Sequence, residues 1–326
     1  MTTQTTTFKN ASILFVFLLS IFFSSAINPA FAQAEKKDDI QKKYGLSPDT
    51  PLISRISPAP ERVLTIFHNA GMNPTEHALT PEEYKKVDLA LKKLPALHQS
   101  VLKDHLASIS FVDNMPNNAL TSTLNTTDSF KVFNITIRAG ILNQNVSDWL
   151  TAKEQTCFDT TNSDWSVSVD AGKLEALLYL LLHEGTHVVD GALAMMPLPE
   201  NNADFGKNGF TSGIWEQRTT LASKYSDEIL QNTRFRTGKV VPADKATGLY
   251  RALQQTPFVS LYSLSSTHED LAEYLSVYHF TQKLGQPFRI IVRQAGKDVY
   301  TFEPMKSKLV KNRINTMKQF YGKVRG

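Results

Sequence analysis

Apolar positions along the chain change period several times, and each change marks an element. The first is an unbroken run, Ile13 to Phe23 interrupted only by Ser20, preceded by one charge at Lys9. It is too short to cross a bilayer comfortably. Ala30-Phe31-Ala32 then supplies the small residues a signal peptidase requires, so residues 1–32 are predicted to be a secretory signal cleaved after Ala32, with an uncleaved anchor as the alternative. From 33 to 60 the chain is polar and punctuated by Pro48, Pro51, Pro58 and Pro60, which predicts a flexible arm. A domain is expected over 61–326.

Within that domain, Thr80-Pro81-Glu82-Glu83 reads as a cap with proline in the first turn, and Tyr84, Val87, Leu91 and Leu94 continue at helical spacing. Ile109 to Val112 and Phe130 to Ile137 are rich in β-branched and aromatic residues, and Trp165 to Val169 alternates, so all three are predicted strands. A helix is expected from about Ala171 to Asp190, where Leu174, Leu177, Leu178, Leu181 and Leu182 make it apolar around much of its circumference and therefore buried. Periodicity weakens over 195–260. A short helix from about Glu269 to Phe280 follows, then a hairpin of Phe288 to Val292 with Val299 to Phe302, and a basic terminal helix. The pattern is α+β: a small mixed sheet ahead of a buried helix, with a mainly helical carboxyl-terminal part.

Composition adds little to this. The 326 residues carry a net charge of +4, and loss of 1–32 removes Lys9 and leaves +3, which is no nucleic-acid signature. The bases near the end (Lys306, Lys308, Lys311, Arg313, Lys318, Lys323 and Arg325) read as a solvated helix face. Cys157 is the only cysteine, so it has no intrachain disulfide partner.

The chemistry is concentrated in His183-Glu184-Gly185-Thr186-His187. Two histidines four apart on a helix can reach one ion, and the glutamate after the first lies beside it, placed to act as a base on water activated by zinc. Three polar side chains on a leucine-rich helix would cost several kcal/mol without strong partners, which favours metal over a satisfied core pair. Such a site needs a third ligand. One known continuation would put glycine at 190 and histidine at 193, where this chain has Asp190 and Leu193. The better candidate is Thr267-His268-Glu269-Asp270-Leu271-Ala272-Glu273: with Thr267 as the cap, Glu269 faces the metal from the first turn. Glu273, one turn on, accepts from the outer nitrogen of a ligand histidine.

These two segments resemble the gluzincin metallopeptidases, most closely the catalytic domains of anthrax lethal-factor-like enzymes. His183 to Asp190 is similar to that family's zinc helix and Glu269 to Glu273 to its third-ligand helix; the likeness covers no more of the chain. The resemblance implies a zincin-like fold, Zn²⁺ on His183, His187 and Glu269, support from Asp190 and Glu273, and a catalytic role for Tyr262, seven residues before Glu269. The expectation is then a secreted or periplasmic zinc endopeptidase acting on a protein or peptide, with Glu184 as general base and Tyr262 hydrogen-bonding the oxyanion. An extended substrate would add to a sheet edge at Trp165 to Val169. Two other readings compete: a zinc hydrolase of a non-peptide envelope amide, and a catalytically silent binding protein of the same fold.

Overall fold

The structure is a computed structural model describing residues 37–125, 130–197 and 202–322. The expected signal at 1–32, residues 33–36 of the expected arm, and Lys323 and Arg325 lie outside the described residues.

Residues 37–60 do not form a flexible arm. Helix α1 (Lys37–Lys43) buries Ile40 against Leu46 and Val132, and the Arg55 guanidinium donates to the carbonyls of Gly45, Ser47 and Lys103. Ser57 N–H donates to Ile109 O, so this stretch runs onto the main sheet. The prolines that suggested a linker set extended backbone between packed residues instead. Helix α2 (Glu61–Asn69) follows.

The main sheet has four strands: β1 (Thr75–Glu76), β2 (Leu106–Asp113), β3 (Ala119–Thr123) and β4 (Phe133–Arg138), in the order β1-β2-β4-β3. β2 and β4 are parallel, with Ile109 opposite Ile135 and Phe111 opposite Ile137, and are buried along most of their length. β3 runs antiparallel to β4 and forms an edge. Before β2 come α3 (Pro81–Lys92), closed by a Thr80/Glu83 capping box, and α4 (Ala96–His105).

Helix α5 (Val146–Gln155) leads into a three-stranded sheet: β5 (Trp165–Asp170), β6 (Arg289–Gln294) and β7 (Lys297–Phe302), in that order. The β6–β7 turn places Ala295 and Gly296 at φ 48° and 76°, the left-handed pair a two-residue hairpin loop needs. The outer edge of β5 is closed. Thr151 Oγ1 accepts from Val169 N, Gln155 Nε2 donates to Val167 O, and Ser147 Oγ accepts from Ala171 N. Trp165 to Val169 is therefore sealed by α5 and is not an edge for substrate.

Helix α6 (Ala176–Leu193) is the buried spine. It starts later than Ala171 because Gly172 is at φ 84° and Leu174 and Ala176 hydrogen-bond to Val146 and Gln144, holding the backbone extended there. Its two glycines mark its closest approaches. A Cβ at Gly185 would lie 2.9 Å from His98 of α4, and one at Gly191 would lie 2.7 Å from Phe133 of β4. Helix α7 (Ala246–Gln254) and helix α8 (Thr267–Tyr278) complete the helical half, with α8 packed against α6.

The end of the chain differs from the expected basic helix. Only Lys308–Lys311 is α-helical, followed by a 3-10 segment over Ile314–Phe320, and Arg313 is buried rather than solvated. Its guanidinium pairs with Asp270 of α8, which also accepts from Trp215 Nε1. No helix among the described residues is long and apolar enough to cross a membrane.

Candidate metal centre

One helical turn separates His183 from His187 on α6, and their rings stand nearly perpendicular with Nε2 atoms 3.2 Å apart. Glu269 enters from the first turn of α8. Its amide N–H is capped by Ser266 Oγ at 3.3 Å, so the cap is Ser266 and not Thr267. Glu269 Oε2 lies 2.9 Å from His183 Nε2 and 3.4 Å from His187 Nε2. One ligand atom from each of the three falls within 4.8 Å of the others, and among the described residues no other group of three His, Cys, Asp or Glu does so.

Two imidazole nitrogens and a carboxylate oxygen at this spacing can share a cation. In the metal-free protein a proton plays that part. Burial alone would lower the pKa of His183, but its bonds to Glu269 and Glu273 override this and raise it to about 10. Glu269 shows the converse: burial opposes its charge, yet His187 and His183 hold it well below the usual carboxylate range. For a tetrahedral ion with bonds of about 2.1 Å, ligand atoms sit about 3.4 Å apart. The three observed separations are close to that figure, so a small divalent ion fits between them.

Glu273 lies behind the first histidine. Its Oε1 is 3.2 Å from His183 Nδ1 and 3.2 Å from Lys153 Nζ, and its Oε2 accepts from Ser260 Oγ at 2.7 Å and Tyr179 OH at 3.3 Å. Burial would raise its pKa, but the Lys153 ammonium and His183 bring it down to about 2. A carboxylate on Nδ1 fixes the ring of His183 so that Nε2 faces Glu269. Asp190 is placed differently from the expectation. Its Oδ2 pairs with His268 Nδ1 and its Oδ1 accepts from Met196 N at 2.7 Å, so it ties the end of α6 to the start of α8 instead of backing a ligand histidine.

Glu184 is buried and near enough to His187 for its charge to act on it, but it is outside the set of three donors. Its Oε2 accepts from Thr121 Oγ1 of β3 at 2.6 Å. The carboxylate is thereby held at the edge strand of the main sheet. Tyr262 stands over His183, with ring centroids 5.7 Å apart and planes at 29°. Burial, then the charges of Glu269, Glu184 and Glu273, push its phenol well above its ordinary pKa, so it is a neutral donor at neutral pH. The structure thus brings His183, Glu184, His187, Tyr262, Glu269 and Glu273 to one place.

Sequence reasoning missed Thr121, Lys153, Ser260 and Tyr179. Thr121 sits in Ala119-Leu120-Thr121-Ser122-Thr123, too polar to signal a strand, and the other three are ordinary helix or loop residues until the fold sets them against Glu273. No protein-family model, curated protein or solved structure matches this chain.

Proposed function

We propose that this chain is an exported zinc endopeptidase of the gluzincin kind, with a zincin-like arrangement of sheet and helices. The observation that carries this is the donor geometry: His183 Nε2, His187 Nε2 and Glu269 Oε2 within 4.8 Å, with Glu184 next to them and uncommitted to them. Three protein donors that leave a further position open are the pattern of a catalytic rather than a structural site. The apolar run ending at Ala32 supports export.

Bound zinc would supply Lewis acidity, acidifying water and polarising a scissile carbonyl. The rest falls to the chain's own residues. Glu184, steadied by Thr121, takes a proton from the attacking water and can pass it to the departing amine. Tyr262, a neutral phenol beside the donors, gives a hydrogen bond to the oxygen on which charge develops. Glu273 keeps His183 in the tautomer that presents Nε2. An extended peptide is best accommodated on β3, an edge strand whose Thr121 touches Glu184, rather than on the sealed edge of β5.

The test is the Glu184→Gln variant of the chain lacking residues 1–32. It should retain zinc as wild type does and lose peptide hydrolysis by several orders of magnitude, because a base is removed and no ligand is. Near-normal cleavage of a proteome-derived peptide library by this variant would remove Glu184 from the reaction.

A further inference from the structure

Lys153 is on the last turn of α5, away from both zinc-site segments, yet its side chain is only 16% exposed and its ammonium meets two parts of the site at once. Nζ is 3.2 Å from Glu273 Oε1 and 3.9 Å from the centroid of the Tyr262 ring, with Trp149 also within 5.8 Å.

The choice of oxygen is informative. Ser260 and Tyr179, both neutral, hold Oε2 of Glu273, whereas Lys153 shares Oε1 with His183 Nδ1. Without Lys153, the oxygen that orients the histidine would be held by that histidine alone, and the carboxylate could turn about its Oε2 bonds. Tyr262 is in a similar position. The ammonium lies over its ring, His183 is stacked on it at 5.7 Å, and Phe235 packs edge-on at 4.9 Å. A desolvated ammonium on an aromatic face is attracted by the ring quadrupole, which fixes the plane of the ring and hence the direction of its hydroxyl.

We propose that Lys153 is a positioning residue of this site, one cation that fixes both the carboxylate orienting His183 and the phenol ring standing over it. The proposal rests on the zinc peptidase reading. Lys153 acts through Glu273 and Tyr262, so its loss should change metal affinity and turnover while leaving substrate binding alone.

The experiment compares Lys153→Met, Lys153→Arg, Tyr262→Phe and the Lys153→Met/Tyr262→Phe double variant, all on the chain lacking residues 1–32. Zinc affinity is measured by chelator competition, and kcat and KM on a peptide that the wild type cleaves. Lys153→Met should bind zinc about 10- to 100-fold more weakly, the usual effect of loosening a group behind a metal ligand. At saturating zinc its kcat should fall about tenfold with KM within about twofold, and Lys153→Arg should recover much of both losses. In the Tyr262→Phe background, Lys153→Met should lower kcat far less than it does in wild type, because the two residues act as a unit. Wild-type zinc affinity and kcat in Lys153→Met, or equal losses in both backgrounds, would overturn the proposal and leave the peptidase reading intact. Failure of Lys153→Met and Lys153→Arg alike to fold would assign Lys153 to the core and overturn it too. A wild type that neither holds zinc nor cleaves peptide would instead remove the reading on which the proposal stands.

Discussion

His183 illustrates how much a single side chain is decided by its neighbours. Its Nε2 meets Glu269 and its Nδ1 meets Glu273, so in the metal-free protein it keeps its proton up to a pH of about 10 despite burial. A metal must displace that proton, and the sign follows: apparent zinc affinity is weakest in acid and strengthens by about tenfold per pH unit while one proton is released. The stability of the metal-free protein runs the opposite way. A folded-state pKa raised above the unfolded value gives stability that is fully present below about 6.5 and is lost as pH rises through about 10. Chelator-buffered titrations at pH 6, 7 and 8 check the first point; an affinity flat across that range would mean that His183 is not protonated in the metal-free site. The two histidines and Glu184 were legible in the sequence because helical spacing sets their relative directions, and Glu269 because it follows a helix cap and shares a face with Glu273. The partners that perfect the site were not, since Lys153, Ser260 and Tyr179 reach Glu273 only through tertiary packing. Asp190 was misjudged for a related reason: its nearest partner, His268, is supplied by α8.

Among the elements, α6 shows most clearly how local sequence serves packing. Glycine costs a helix about 1 kcal/mol relative to alanine, so Gly185 in the middle of α6 needs a compensating reason. That reason is α4. An alanine Cβ at 185 would sit 2.9 Å from the ring of His98, which is fully buried and bonded to Thr186 Oγ1 at 3.1 Å, so the ring cannot swing away freely. Overpacking costs typically about 1–3 kcal/mol, which exceeds or cancels the gain in helix propensity. Gly185→Ala should therefore be destabilising by about 1–2 kcal/mol in chemical denaturation, and a more stable variant would show that the α4–α6 contact is loose. Long, strongly periodic elements such as α3, α6, α8 and the β6–β7 hairpin were readable along the chain, with ends displaced by a few residues where a glycine or a cap intervened. β3 was not readable. An edge strand buried on neither face has no need of apolar alternation, and this is the strand that touches Glu184.

At the scale of the whole molecule, the carboxyl-terminal segment is fastened to the site-bearing helix by one buried ion pair. Arg313 and Asp270 are 4% and 0% exposed, and Asp270 is the residue next to Glu269. Arg313→Met would leave that carboxylate buried with Trp215 as its remaining donor. A broken buried pair costs about 3–5 kcal/mol, so melting in excess chelator should fall by on the order of 10 °C, and adding Asp270→Leu should restore much of the loss. An unchanged melting temperature would show that the segment does not hold α8. Composition hid this pair because Arg313 lies among lysines that are exposed, and packing alone singles it out. The account as a whole depends on one structural proposition, that α6 and α8 meet to hold a single zinc ion on His183, His187 and Glu269. The most direct test is metal content and chelator competition on zinc-reconstituted wild type beside Glu269→Ala and Glu273→Ala, each lacking residues 1–32. The account predicts about one zinc per wild-type chain, near-complete loss in Glu269→Ala, and zinc retained with about 10- to 100-fold weaker affinity in Glu273→Ala. Wild type without zinc after reconstitution, or Glu269→Ala holding it as tightly as wild type, would contradict it.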